Sequence, residues 1–75
     1  METKRALIVE DNQNMADIFV EAVEEAGYVV EAVGTGVEAL DRLRQAAPAL
    51  VVLDMNLPQI PGTYILEHIR SQPRL

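Results

Sequence analysis

Two apolar runs of this chain end in carboxylates. Leu50-Val51-Val52-Leu53 is closed by Asp54, and Leu7-Ile8-Val9 is closed by Glu10 and Asp11. A strand that stops at an acid places that acid at the carboxyl end of its sheet. In an open parallel sheet, ligands sit at this edge. Three carboxylates meeting there repel one another, so at least one pKa rises unless a cation joins them. Mg2+ suits such a site, because it takes few protein oxygens, keeps several waters and accepts a phosphate oxygen. An Asp carboxylate can also act as a nucleophile and form an acyl phosphate. The plainer reading is that Asp11 caps a helix and Asp54 forms a turn. Two acidic strand ends in adjacent units weigh against it.

The elements that must position these acids follow from the apolar pattern. Residues 5–10 read as a strand whose continuous core, Ala6 to Val9, predicts burial on both faces. Asp11-Asn12 is turn and N-cap chemistry. Met15, Ile18, Phe19, Ala22, Val23 and Ala26 then predict one helical stripe, stopped by Gly27. Residues 28–33 read as a second, edge strand. After Gly34-Thr35-Gly36, the residues Val37, Leu40, Leu43 and Ala47 predict a second helix ended by Pro48. Residues 49–53 form the third and most apolar strand. A Pro/Gly loop over 57–62 leads to a third helix, 63–71, burying Ile65, Leu66 and Ile69.

The order β-α-β-α-β-α predicts right-handed crossovers and a parallel sheet with helices on both faces. The burial gradient favours strand order 2-1-3, with the tyrosine-valine strand at one edge. The greasiest strand, 49–53, is then the other edge, and an exposed apolar edge invites association.

Composition narrows the class. The chain has 75 residues and no cysteine, which excludes a disulfide framework and a thiolate metal site. Residues 1–75 are one small domain of marginal stability on its own. Twelve acids against six bases give a net charge of −6. That balance argues against nucleic acid as a direct partner. The bases Lys4, Arg5, Arg42, Arg44, Arg70 and Arg74 are scattered along the sequence and form no stripe. No apolar run approaches a membrane span, and the start, Met1 to Arg5, has no signal-peptide core. A cytoplasmic location is the default expectation.

Glu10-Asp11 after the first strand, and Asp54 followed by Pro58 and Gly62 after the third, resemble the receiver domain of bacterial two-component response regulators. The resemblance runs through the whole chain in register and implies a three-layer, flavodoxin-like α/β fold. It implies that Asp54 is the phosphoacceptor, taking a phosphoryl group from a histidine kinase or a phosphotransfer protein. It also implies that Glu10, Asp11, Asp54 and the backbone carbonyl of Asn56 hold Mg2+. Pro61 departs from the more usual Asp or Asn before the glycine, so a stiffer loop is expected.

A receiver has five β/α units. The hydroxyl residue ending its fourth strand and the lysine ending its fifth have no counterpart here. Thr35, Thr63 and Lys4 lie at the wrong places to substitute. The expectation is therefore a half domain, completed by pairing strand 49–53 with that of a second copy. At most it carries Mg-dependent self-phosphorylation from a phosphodonor rather than turnover. The alternative is a non-catalytic dimerisation or interaction module.

Other residues carry plainer readings. His68 is expected to be exposed, Tyr64 and Met15 to pack, and Met55 to lie beside the pocket. Gly34-Thr35-Gly36 lacks the remaining glycines and lysine of a phosphate loop. The acidic side of the first helix reads as a solvated face, with kinase docking as a weaker second reading.

Overall fold

The computed structural model describes residues 3–75; Met1 and Glu2, part of the start read as lacking a signal-peptide core, lie outside them. The elements are β1 (Arg5–Val9), α1 (Gln13–Glu25), β2 (Val29–Val33), α2 (Gly36–Gln45), β3 (Leu50–Leu53) and α3 (Gly62–Ser71). All three strands are parallel and ordered β2-β1-β3, as the burial gradient predicts. The strands are slightly shorter than expected: Glu10 falls just past β1, and Tyr28 and Ala49 lie just before β2 and β3. The ladder nevertheless continues beyond the strand ends. The Ala49 amide donates to Arg5 O at 2.8 Å, and the Asp54 amide to Val9 O at 2.9 Å.

Successive strand side chains alternate between faces. Leu7 and Val9 of β1 join Val33, Leu40, Leu43 and Ile65 in the main core, beneath α2 and α3. Ala6 and Ile8 turn to the opposite face, where α1 packs on β1 and β2. β1 is thus buried on both sides, which its unbroken apolar run requires.

The helix ends follow from local chemistry. Asn12 caps α1 by accepting from the Met15 amide at 3.0 Å. At the other end Gly27 adopts φ +99, a conformation open to glycine. The Gly27 amide then returns to Glu24 O and the Tyr28 amide to Val23 O. This pair of bonds closes the last turn and turns the chain into β2. Thr35 caps α2 through the Glu38 amide at 3.1 Å, and its hydroxyl donates to the Glu38 carboxylate at 3.0 Å. The Gly34-Thr35-Gly36 segment is therefore a helix cap.

Several packing expectations are corrected. The covered face of α1 is Ala16, Phe19, Val20 and Val23, whereas Met15, Ile18, Ala22 and Ala26 are exposed. Among the described helices α1 is the one on its side of the sheet, so only residues aimed at the strands are covered. Val37 is exposed at the start of α2, and Ala47 lies beyond its end. Tyr64 is 58% exposed and does not pack. His68 is half-buried, and its Nε2 is shielded without a hydrogen-bond partner among the described residues.

The bases, dispersed in sequence, gather at one end of the molecule. Lys4 precedes β1 and Arg5 opens it, Arg42 and Arg44 lie in the last turn of α2, and Arg70 lies in that of α3. Arg74 donates to the carbonyls of Leu43 and Ala46 at the end of α2. Helices run antiparallel to the strands they follow, so every helix C-terminus returns to the amino edge of the sheet. Cations favour such ends. No helix of the described residues is long and apolar enough to cross a membrane.

Candidate metal and phosphoryl site

The site is built from two loops at the carboxyl edge. β1 and β3 are hydrogen-bonded neighbours, with Val9 opposite Leu53. The residues that follow each strand therefore emerge side by side. Glu10, Asp11 and Asp54 each offer a carboxylate oxygen within 4.8 Å of the others. Sequence reasoning named all three, and the fold brings them together. Glu10 and Asp54 are partly covered, while Asp11 is exposed.

Each loop is shaped by an acid bonding two residues ahead. The Asn12 amide donates to Glu10 Oε2 at 3.1 Å, and the Asn56 amide donates to Asp54 Oδ1 at 2.9 Å. These bonds hold each carboxylate against the loop that follows its strand and leave Asn56 next to Asp54.

The electrostatics separate the acids. At Glu10 the Asn12 amide pulls the pKa down, but partial burial and the carboxylates of Asp54 and Asp11 outweigh it, so the net shift is upward. At Asp54 the Asn56 amide is the leading influence and holds the pKa below the ordinary aspartate value. Partial burial opposes it, and hydrogen bonding with Glu10 and Asp11 adds to it. Glu10 is thus pushed toward its neutral form and Asp54 toward its charged form.

Among the described residues the recorded ion pair is Arg42–Glu31, away from the pocket. The three carboxylates thus face one another without a protein cation. An all-oxygen, anionic donor set of this kind fits a hard divalent cation such as Mg2+ and not a thiophilic metal.

The loop after Asp54 is held tightly. Leu57 is buried in the main core, and Gln59 adopts φ +68. For a residue other than glycine that conformation costs about 1–3 kcal/mol, and such strain clusters at functional sites. Gly62 opens α3 against this loop. A Cβ there would lie 2.5 Å from Met55 Cα and 2.6 Å from the Asp54 carbonyl oxygen. Only a bare backbone lets α3 begin this close to the site. Met55 lies beside the pocket as expected, with its sulfur 3.0 Å from the same point. Pro61 stands at the N-cap of α3 and supplies no side-chain cap. Sequence reasoning missed the contributions of Gln59 and Ile60; neither carries a chemical group that marks it.

A family model described as the response regulator receiver domain matches residues 6–75. The chain is 33% identical over 73 residues to the polar-differentiation response regulator DivK of Brucella ovis, covering 97% of this chain and 59% of that protein. It thus spans about three-fifths of that relative's length. A CheY-like receiver domain from Methylobacillus flagellatus superposes with a TM-score of 0.86 at 33% identity, over 96% of this chain and 61% of that one. The response regulator TrrA of Thermotoga maritima, solved in complex with Mg(2+)-BeF, gives a TM-score of 0.89 at 32% identity, over 96% and 63%. With the matching model spanning nearly its full length, this chain belongs to the response regulator receiver family.

Proposed function

We propose that the chain is a phosphorelay module whose Asp54 accepts a phosphoryl group from a histidine kinase or phosphotransfer protein. The observation that carries the reading is the convergence of the Glu10, Asp11 and Asp54 oxygens within 4.8 Å, without a protein cation among the described residues. The Mg2+–BeF complex of the similar TrrA supports it.

In the reaction, a carboxylate oxygen of Asp54 attacks the phosphorus of a phosphohistidine. A P–O bond forms, the P–N bond breaks, and the imidazole leaves and takes up a proton. Mg2+ held by Glu10, Asp11, Asp54 and the Asn56 carbonyl would neutralise charge on the phosphoryl oxygens. The Asn56 amide fixes the rotamer of Asp54, and its hydrogen bond favours the charged, nucleophilic carboxylate. The same reading carries a cytoplasmic location, with protein rather than nucleic acid or membrane as the direct partner.

Intact-mass spectrometry after incubation with Mg2+ and a small acyl phosphate tests this. The reading requires addition of one phosphoryl group, absent without Mg2+ and absent in Asp54→Asn. No mass gain under any of these conditions would refute it.

A second reading is favoured by β3. Its outer edge pairs with no strand among the described residues, and Leu50 to Leu53 remain only half-buried. Two copies joined through residues 49–53 about a two-fold axis would form one continuous sheet, antiparallel at the junction. The module would then act by association. A monodisperse monomer that unfolds cooperatively at micromolar concentration would rule this out.

A further inference from the structure

The connection between β2 and α2 contributes no carboxylate, yet it touches both halves of the pocket. At its start, the Glu10 amide donates to Val33 O at 3.1 Å, and Gly34 lies against the Glu10 carbonyl. At its end, Gly36 is buried beneath Ile60 of the loop that follows Asp54. A Cβ on Gly36 would lie 2.8 Å from Ile60 Cβ and 3.2 Å from Ile60 Cγ2. Ile60 is itself the last residue of a tight turn, its amide bonded to Pro58 O at 2.8 Å around the left-handed Gln59. The exposed segment Pro58-Gln59 is thus pinned on one side by Leu57 in the core and on the other by Ile60 on Gly36.

We infer that the Val33–Gly36 connection is a brace that sets the spacing between the Glu10 and Asp54 loops, with Ile60 as its positioning residue. Glu10 is tied to the brace by a backbone hydrogen bond. The Asp54–Asn56 loop is tied to it by the seat of Ile60 on bare glycine backbone. Gly36 is then required for the approach of a side chain from another loop, over and above its place at the start of α2. The consequence for metal binding rests on the proposed cation pocket; the mechanical link does not.

Amide NMR on the full chain, with and without Mg2+, tests both levels. In Gly36→Ala the added methyl displaces Ile60, so amide shifts should reach Asp54, Asn56, Gln59 and Ile60, well beyond the substituted turn. Mg2+ affinity should fall about tenfold, the scale seen when groups supporting metal ligands are lost. Ile60→Gly removes the seated side chain without adding atoms, should shift Gly34 to Gly36 reciprocally, and keeps the test open if Gly36→Ala does not fold. Ile60→Val keeps Cβ and Cγ2 and should retain wild-type Mg2+ affinity, which a general packing loss would not predict. Shifts confined to residues 34–40 in Gly36→Ala, or an unperturbed connection in Ile60→Gly, would overturn the brace. If the wild type shows no Mg2+ response at the carboxylates, the metal reading fails, and the metal-free shifts still decide the brace.

Discussion

The two ends of the sheet treat charge in opposite ways. At the amino edge, two of the gathered arginines meet partners. Arg74 bonds the carbonyls that close α2, and Arg42 pairs with Glu31 at 2.9 Å. At the carboxyl edge, Glu10, Asp11 and Asp54 face one another, and the loop that follows adopts a left-handed non-glycine residue. Charge used for stability is neutralised within the chain. Unneutralised carboxylates that converge beside a left-handed non-glycine residue are the arrangement the proposed cation site requires. The difference also has a topological cause. Parallel strands with antiparallel helices send every helix C-terminus to one edge and every strand-ending acid to the other.

Substitutions at the two ends should therefore separate stability from ligand binding. The largest effect is expected for Gly62→Ala. Its methyl meets backbone at 2.5–2.6 Å, and backbone cannot yield as a flexible side chain can. Overpacking of this kind costs about 1–3 kcal/mol. Chemical denaturation should show that loss, and isothermal titration should show loss of Mg2+ binding with it.

Arg74→Ala comes next and should act on stability alone. It removes two charge-assisted bonds at a helix end, worth about 1–2 kcal/mol after allowance for exposure. The denaturation midpoint should fall while Mg2+ affinity stays unchanged. A matching loss of Mg2+ affinity would break the division between the ends.

Glu10→Gln should reverse the usual sign. It removes one of three facing carboxylates, so the metal-free protein should melt a few degrees higher at neutral pH and bind Mg2+ more weakly. The pH dependence sharpens this. Glu10 has a raised folded-state pKa, so the native state holds its proton where the unfolded state has lost it, and stability falls as pH rises through that window. Asp54 is depressed, so its contribution is present above the ordinary aspartate pKa and is lost as pH falls through the lowered one. In metal-free melting curves, Glu10→Gln should remove the first slope and only weaken the second, which rests chiefly on the Asn56 amide.

The smallest effect is expected for Arg42→Ala. The ion pair with Glu31 is exposed on both sides, at 37% and 50%, and such pairs are worth about 0–1 kcal/mol. Melting and Mg2+ titration should both lie close to wild type.

Much of the site was legible in the sequence because its signal is local. An apolar run that stops at an acid marks both a strand end and a candidate ligand, and the burial gradient places the two runs side by side. Asp54, Glu10 and Asp11 could be named on that basis. The face of α1 could not, because its stripe has two candidate rotations. Choosing Ala16, Phe19, Val20 and Val23 requires knowing that no second described helix covers its flank. The gathering of the bases was hidden for a similar reason, since residues far apart in sequence meet only once helix directions are set. Ile60 and Gly36 were invisible because their contact depends on one side chain crossing from one loop to another.

The central claim is that the carboxyl edge is a divalent-cation site serving Asp54. The most direct measurement is an Mg2+ titration followed by amide NMR on the wild type and Asp11→Asn. The account predicts saturable shifts centred on Glu10, Asp11, Asp54 and Asn56, lost in the variant, with Glu24, Glu25 and Glu31 unmoved. Weak, unsaturable shifts spread over all the acidic residues, and unchanged by Asp11→Asn, would contradict it.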